Sequence, residues 1–143
     1  MIIKRTFIIT IVAFVLISTV SCRRVQSTGY TGTDDNEIER AFKTRTSNVQ
    51  VKGEGMVTRL LQDDVEGSRH QRFIVRLSSG LTVLILHNID IAPRVDGLQE
   101  GDRLGFYGEY IWNSQGGKVH WTHRDPDGKH VAGWLKHNER IYQ

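Results

Sequence analysis

The sequence predicts a mainly β domain, preceded by one short helix and an N-terminal export signal. The chain has 143 residues, which suits a single domain. Its 14 glycines fall between short apolar runs, and only two prolines occur, which is typical of short strands joined by tight turns. One uncharged apolar run stands apart from this pattern, at the N-terminus.

Residues 1–22 have the parts of a secretory signal. A short basic start precedes an apolar run over residues 6–20, and small residues then lead to Cys22, the only cysteine. The run is shorter than the ~20 apolar residues of a membrane span. "TVSC" resembles the bacterial lipobox, whose cysteine is lipid-modified, although Thr19 replaces the usual leucine. We expect export and a lipid anchor at Cys22 on the periplasmic face of a bacterial membrane; a simply cleaved signal or an uncleaved anchor is the alternative.

Residues 23–48 predict a tether followed by a short helix. The first part is rich in Ser, Thr and Gly, as in flexible linkers. The stretch "TDDNEIERAFKTRT" then has helical spacing, with Thr33 or Asp34 as the cap. Ile38 and Phe42 lie on its apolar stripe, together with Ala41. We expect this stripe to pack on the domain that follows.

From residue 49 onward the apolar pattern becomes that of β-strands. Two glycines inside the first strand indicate a bend or bulge. A meander of three strands, a connector and a final hairpin follow the order of a small five-stranded OB-like barrel, and closure removes exposed edges. An SH3-like barrel or a plain meander sheet is the alternative. The predicted strands are "VQVKGEGMVTRLL", "QRFIVRL", "LTVLILHN", "RLGFYGEYIW" and "KVHWTH".

These predictions divide the chain into three parts. They are residues 1–22, a signal peptide with a lipobox-like end; residues 23–48, the tether and short helix; and residues 49–143, the OB-like β-barrel domain with a C-terminal extension. The extension, "VAGWLKHNERIY", is expected to lay Trp134, Leu135, Ile141 and Tyr142 over one end of the barrel.

Three motifs, "GSRHQRF", "HNIDIAPR" and "HWTHRDP", resemble a family of small exported bacterial proteins that is catalogued as a domain of unknown function. The resemblance covers about residues 49–143. It implies export and a compact β domain, and it implies no established activity.

The charge distribution argues against nucleic acid as a partner. The formal net charge is +3. Lys4 and Arg5 belong to the signal segment, and without them 17 basic residues stand against 16 acidic ones. A surplus this small gives little long-range attraction to phosphates.

Polar residues of the three motifs form the candidate site. On a regular strand His120 and His123 point to opposite faces, and the chain has no HExxH motif and no paired cysteines, so we assign no metal ligands and expect no cofactor. Only a strand that ends near Trp121 would let both histidines turn inward. The candidate binding residues are Arg69, His70, Arg72, His87, Asn88, His120, His123, Arg124 and Asp125.

The favoured interpretation of "VHWTHRDPDGKH" is structural. Asp125 is expected to pair with Arg124, Arg69 or Arg72, residues 126–128 to form a turn, and a histidine to bind a backbone carbonyl. The sequence thus predicts a non-catalytic binding or scaffolding module of the cell envelope. Its expected partners are the membrane, through the N-terminal lipid, and an unidentified envelope component or protein. The alternative is a metal-assisted hydrolase, a phosphodiesterase or nuclease, that uses the same residues.

Overall fold

The computed structural model describes residues 35–143. The predicted signal peptide, Cys22, the tether and both candidate caps, Thr33 and Asp34, lie outside the described residues. Within residues 35–143, no helix has the length and apolar character to cross a membrane.

One helix and seven strands make up the described chain. The helix, α1, spans Asp35–Thr44. The strands are β1 (Val49–Asp64), β2 (His70–Leu77), β3 (Thr82–Asn88), β4 (Arg103–Ile111), β5 (Lys118–His120), β6 (Trp134–His137) and β7 (Arg140–Tyr142).

Five of the strands pair in a ring. Their order is β1-β2-β3-β5-β4, and β4 returns to pair with β1. The β3–β5 pair is parallel, whereas the other pairs in the ring are antiparallel. The prediction of a mainly β domain with a five-stranded, OB-like arrangement and a short N-terminal helix is therefore confirmed.

The first strand joins the ring because it bends in the middle. Its first half pairs with β4 and its second half with β2. Gly53 and Gly55 lie where the two pairings meet, as the sequence predicts for a bend. A Cβ at Gly53 would lie 2.6 Å from the Phe106 ring, and one at Gly55 would overlap the Arg76 carbonyl oxygen. Only glycine therefore allows such close packing at the bend.

The last two strands form a hairpin alongside β4. β6 pairs with residues 105–107, next to the part of β4 that pairs with β5. Leu135 and Tyr142 are buried in the core, whereas Ile141 is 53% exposed. The predicted extension is thus a part of the sheet, and of its apolar residues Ile141 points to solvent.

The helix packs on the ring through the predicted stripe. Ile38 and Ala41 are buried, and Phe42 is partly buried against the core. The indole Nε1–H of Trp112 donates to the Phe42 carbonyl at 3.1 Å, which ties the helix to the end of β4. The ring interior holds the main core, which includes Phe73, Ile85, Leu104, Phe106, Tyr110 and Val119.

Candidate functional site

Several of the predicted site residues meet at one end of the ring, where β2 begins and where β3 and β5 end. His70 is paired with Asn88 across β2 and β3. The His70 and His120 ring centroids are 5.3 Å apart, and those of His120 and His123 are 6.4 Å apart. We call His70, His87, His120 and His123 the histidine cluster.

The two partly exposed members of the cluster, His70 and His120, face each other through their Nε2 atoms, which are 3.3 Å apart. The Nδ1–H of His70 donates to the Ser68 carbonyl at 2.7 Å, which leaves a lone pair on the Nε2 of the neutral ring. The pKa of His120 is lowered to about 4, mainly by burial and also by the neighbouring His70 and His123. His120 is therefore neutral at pH 7.

His87 lies beneath this pair and is fully buried. Its Nε2–H donates to the Pro93 carbonyl at 3.1 Å, so that Nδ1 accepts a hydrogen bond of 2.9 Å from the Thr122 hydroxyl. Burial lowers the pKa of His87 to about 4 against the opposing effect of the Pro93 carbonyl. This neutral imidazole joins β3 to the segment that follows β5.

His123 is also buried, at 1% exposure. Its Nδ1–H donates to the Arg124 carbonyl at 2.8 Å, and its own carbonyl accepts from the Gly133 amide at 2.9 Å. Both bonds lie within the loop formed by residues 121–133 and close it on itself, and the bond to a backbone carbonyl is what the structural interpretation of this stretch expects of a histidine.

Asp125 bonds to backbone amides and not to the arginines that the sequence suggests. Its carboxylate accepts from the amides of Asp127, Lys129 and His130 at 2.7–3.0 Å. These donors, that of Asp127 first, lower the pKa of Asp125. The loop therefore closes around the Asp125 carboxylate. In a tight turn, a short carboxylate side chain reaches the backbone amides a few residues further on.

The predicted arginines point away from the histidine cluster. Arg69 pairs with Asp90 at 2.7 Å, and the Nε–H of Arg72 donates to the Gln62 carbonyl at 2.8 Å. The third, Arg124, is exposed. They form no shared anion site with His70 and His120.

Glu109 belongs to the site but is missing from the sequence prediction. It lies opposite His120 in the β4–β5 pair, and its carboxylate bonds to the Nε2 of His130 at 2.8 Å. The Nδ1 of the same imidazole donates to the Val131 carbonyl at 2.9 Å. Burial is the largest single influence on the pKa of His130 and lowers it. The hydrogen bonds to Glu109 and Val131 act in the opposite direction and together outweigh burial, so the pKa is raised. The alternating pattern of β4 places Glu109 on its outward face, and this was the feature of the sequence that could have pointed to it.

Trp121, which lies between His120 and His123 in the chain, has an unusual backbone conformation. Its φ is +53°, in the left-handed region that costs an L-residue about 1–2 kcal/mol. The His120 carbonyl lies where a Cβ at Gly108 would be, and the Trp121 carbonyl lies where a Cβ at Gly133 would be. Two glycines thus allow the strained segment to lie directly on the neighbouring backbone. Bulky residues with positive φ are concentrated at functional sites.

A comparison with known protein families identifies the family of this chain. A family described as a protein of unknown function, DUF3465, matches residues 20–143. The chain belongs to the DUF3465 family. This confirms the resemblance to a family that is catalogued as a domain of unknown function. No curated protein matches the chain.

The DUF3465 domain has a second feature of interest, a groove on the outer face of β2 and β3. The groove has a volume of about 170 Å³ and is bounded on one side by the β4–β5 loop. Leu84 and Ile74 lie side by side on adjacent strands in its wall, both partly exposed. Its full lining is Leu61, Ile74, Thr82, Val83, Leu84, Asn113, Gln115 and Gly117. No residue of this groove is among the candidate binding residues predicted from the sequence.

Within the described part of the DUF3465 domain, no three His, Cys, Asp or Glu side chains are grouped so as to hold a metal ion. The histidine cluster offers the closest approach, since two imidazole nitrogens face each other there. The carboxylates nearest to it, Asp90, Glu109 and Asp125, each bond to protein donors.

Proposed function

We propose that this DUF3465 protein is an exported, lipid-anchored binding module of the cell envelope. The groove on β2 and β3 takes an apolar segment of a partner protein, and the histidine-rich loop closes the end of the ring. The observation that supports the proposal best is the aliphatic lining of the groove on the outer face of the sheet.

An outer face of this kind is expected to be polar. Antiparallel strands with one face in a core alternate apolar and polar side chains, and the polar ones meet solvent. In β3 the outward positions carry Leu84 and Leu86, and the neighbouring outward position in β2 carries Ile74. These strands therefore carry aliphatic side chains on both faces. Such side chains on the outer face favour its being covered by an apolar surface of a partner.

The place of the groove supports a binding role. In OB-like barrels, ligands lie on the face of the second and third strands and contact the loop between the fourth and fifth. Here the corresponding loop forms the rim, and the Asn113 side chain accepts from the amides of Gln115 and Gly117 at 2.8 and 3.0 Å. The rim is thereby fixed before any partner arrives, which lowers the ordering cost of binding.

The residues around the groove indicate what its partner is like. Arg72 lies opposite Leu86, and Lys118 lies opposite Leu84. An aliphatic groove with cations at its side suits a protein segment that presents an apolar side chain between acidic ones. The small positive charge of the mature chain and the export signal both favour such a partner over nucleic acid.

The alternative, a metal-assisted hydrolase, lacks a comparable supporting observation. General base catalysis needs a carboxylate or imidazole within reach of the substrate and free to take a proton. Asp125 is held by three amides, Glu109 by His130, and Asp90 by Arg69. His123 is buried behind the loop.

Crosslinking from inside the groove tests the binding proposal. A photoreactive amino acid replaces Leu84 in the full chain, which is expressed with its own signal in a bacterial host; a second chain carries it at Lys129, outside the groove. We expect a crosslink from position 84 that maps to an apolar segment flanked by Asp or Glu. A synthetic peptide of that segment should then bind the parent chain and bind Ile74→Asp at least about tenfold more weakly, which corresponds to one lost aliphatic anchor.

Val65→Asp is the matched control, since Val65 is exposed and lies outside the groove. It should bind the peptide like the parent chain. Equal crosslinking from positions 84 and 129, or equal peptide binding by Ile74→Asp, would rule out the groove as the binding surface. Melting temperatures of both variants show whether either has lost its fold.

The lipid anchor requires its own measurement. Cells are grown with an alkyne-labelled fatty acid, and the parent chain is compared with Cys22→Ala. The parent chain should incorporate the label and sediment with membranes, whereas Cys22→Ala should do neither. A parent chain without label would leave an exported protein that has no lipid anchor.

A further inference from the structure

We infer that His70 and His120 form a binding site for one divalent transition-metal ion of the zinc type. The two Nε2 atoms are the protein ligands, and water completes the coordination. This inference is independent of the groove on β2 and β3, because neither histidine lines it.

The distance between the two nitrogens carries the inference. Two imidazole nitrogens that share a tetrahedral Zn²⁺ at about 2.0–2.1 Å are about 3.3–3.4 Å apart. In the domain they are 3.3 Å apart, a hydrogen-bonded contact in which one Nε2–H can donate to the other Nε2. The pair therefore also has the spacing of two zinc ligands, and a bound ion would replace this hydrogen bond.

The orientation of His70 fits the role of a ligand. Metal-binding histidines almost always donate their second ring N–H to a carboxylate or a backbone carbonyl, which fixes the tautomer. The Nδ1–H of His70 donates to the Ser68 carbonyl at 2.7 Å. The Nε2 lone pair of His70 consequently points toward His120.

The backbone that carries the second imidazole is held in place. The His120 carbonyl packs on Gly108, where any Cβ would overlap it, and its strand pairs with Glu109. Two nearly fixed nitrogens give a site that is formed before the ion arrives.

The surroundings decide which ions are suitable. Imidazole binds Zn²⁺, Cu²⁺ and Ni²⁺ and is a poor ligand for Mg²⁺ or Ca²⁺. The ring centroid of the neighbouring His123 lies 6.4 Å from that of His120, and its Nδ1–H is bonded to the Arg124 carbonyl. Two protein ligands predict weaker binding than in closed zinc sites, which have four.

The test is a calorimetric titration of the full chain, purified without a polyhistidine tag, with Zn²⁺ at pH 7.5, and Mg²⁺ serves as the contrast ion. We expect one equivalent of Zn²⁺ to bind and Mg²⁺ not to bind. His70→Ala and His120→Ala should each weaken Zn²⁺ binding at least about tenfold, since even losing a supporting group around a metal costs 10–100-fold. Imidazole ¹⁵N NMR should show the Nε2 signals of His70 and His120 shifting on addition of Zn²⁺.

His130→Ala is the matched control, because it removes a neighbouring imidazole that bonds to Glu109 and leaves the pair intact. It should bind Zn²⁺ like the parent chain. No saturable binding by the parent chain, unchanged binding by His70→Ala, or equal loss in His130→Ala would each overturn the inference. Circular dichroism of every variant distinguishes a lost ligand from a lost fold. The groove proposal is unaffected by any of these results and fails only in its own crosslinking and peptide tests.

Discussion

The imidazole of His130 stacks on the indole of Trp121, with 4.2 Å between the ring centroids and 10° between the planes. The same imidazole bonds to Glu109 on β4, so the loop of residues 121–133 is fastened to the sheet at its far end. At its near end the loop starts with the left-handed backbone of Trp121. Four predictions follow from the way this loop is held.

Gly108→Ala should destabilise the domain by more than about 2 kcal/mol. The added Cβ would overlap the His120 carbonyl oxygen, and a backbone atom of a paired strand has no room to move. Gly105→Ala, three residues earlier in β4, is the control, because its Cβ would meet Trp134 and Lys136 at 3.5–3.6 Å, an ordinary contact. Urea unfolding should leave Gly105→Ala within about 0.5 kcal/mol of the parent chain. Equal losses would show that Gly108 is not closely packed.

The parent chain should lose stability as the pH falls from about 6.5 toward 4. His87 has a pKa of about 4 in the folded state, well below its value in the unfolded chain, so the unfolded state binds the proton first. The stability that neutral His87 supplies is complete above pH 6.5, and its loss amounts to up to about 3 kcal/mol by pH 4. His87→Gln should show a shallower decline in urea unfolding over this range. Parallel curves for the two chains would mean that His87 does not cause the loss.

The bond between His130 and Glu109 should show the opposite pH dependence. The pKa of His130 is raised in the folded state, so this contribution is complete below the unfolded value of about 6.5 and is lost as the pH rises through the folded value. Glu109→Gln should therefore cost up to about 1 kcal/mol at pH 6 and less at pH 9. Glu139→Gln, which breaks an exposed pair with Lys136, should change little at either pH. A cost for Glu109→Gln that does not depend on pH would contradict this assignment.

Asp125→Ala should loosen the loop without unfolding the domain. Its carboxylate accepts from three backbone amides, of which those of Lys129 and His130 lie at 2.7 and 2.8 Å. Hydrogen exchange at these two amides should become at least about tenfold faster, because the acceptor that protects them is gone. Asp127→Ala serves as the control, since the side chain of Asp127 makes only a surface pair with Lys129. Unchanged exchange in Asp125→Ala would show that the loop is held elsewhere.

The secondary structure was predictable because it depends on local patterns. Ile38, Ala41 and Phe42 recur at helical spacing, and Phe73, Val75 and Leu77 alternate as in a half-buried strand. The residue at which β5 ends was not predictable from local patterns. "KVHWTH" predicts one strand, yet the strand stops at His120, since Trp121 adopts a positive φ that the sequence pattern does not indicate. With the strand ended there, His120 and His123 no longer alternate and both face the same end of the ring.

By itself the sequence predicted the mainly β class, the short helix and the resemblance to a family of unknown function. These depend on periodicity and on motifs within a few residues of one another. Only the tertiary structure decided that His70 and His120, 50 residues apart, bring their Nε2 atoms to 3.3 Å across the end of β3. Only it decided that Leu84 and Ile74 line an outer groove. The physical reason is that such contacts depend on strand register and on which face of the sheet each side chain points to, and both are fixed by pairing between distant segments.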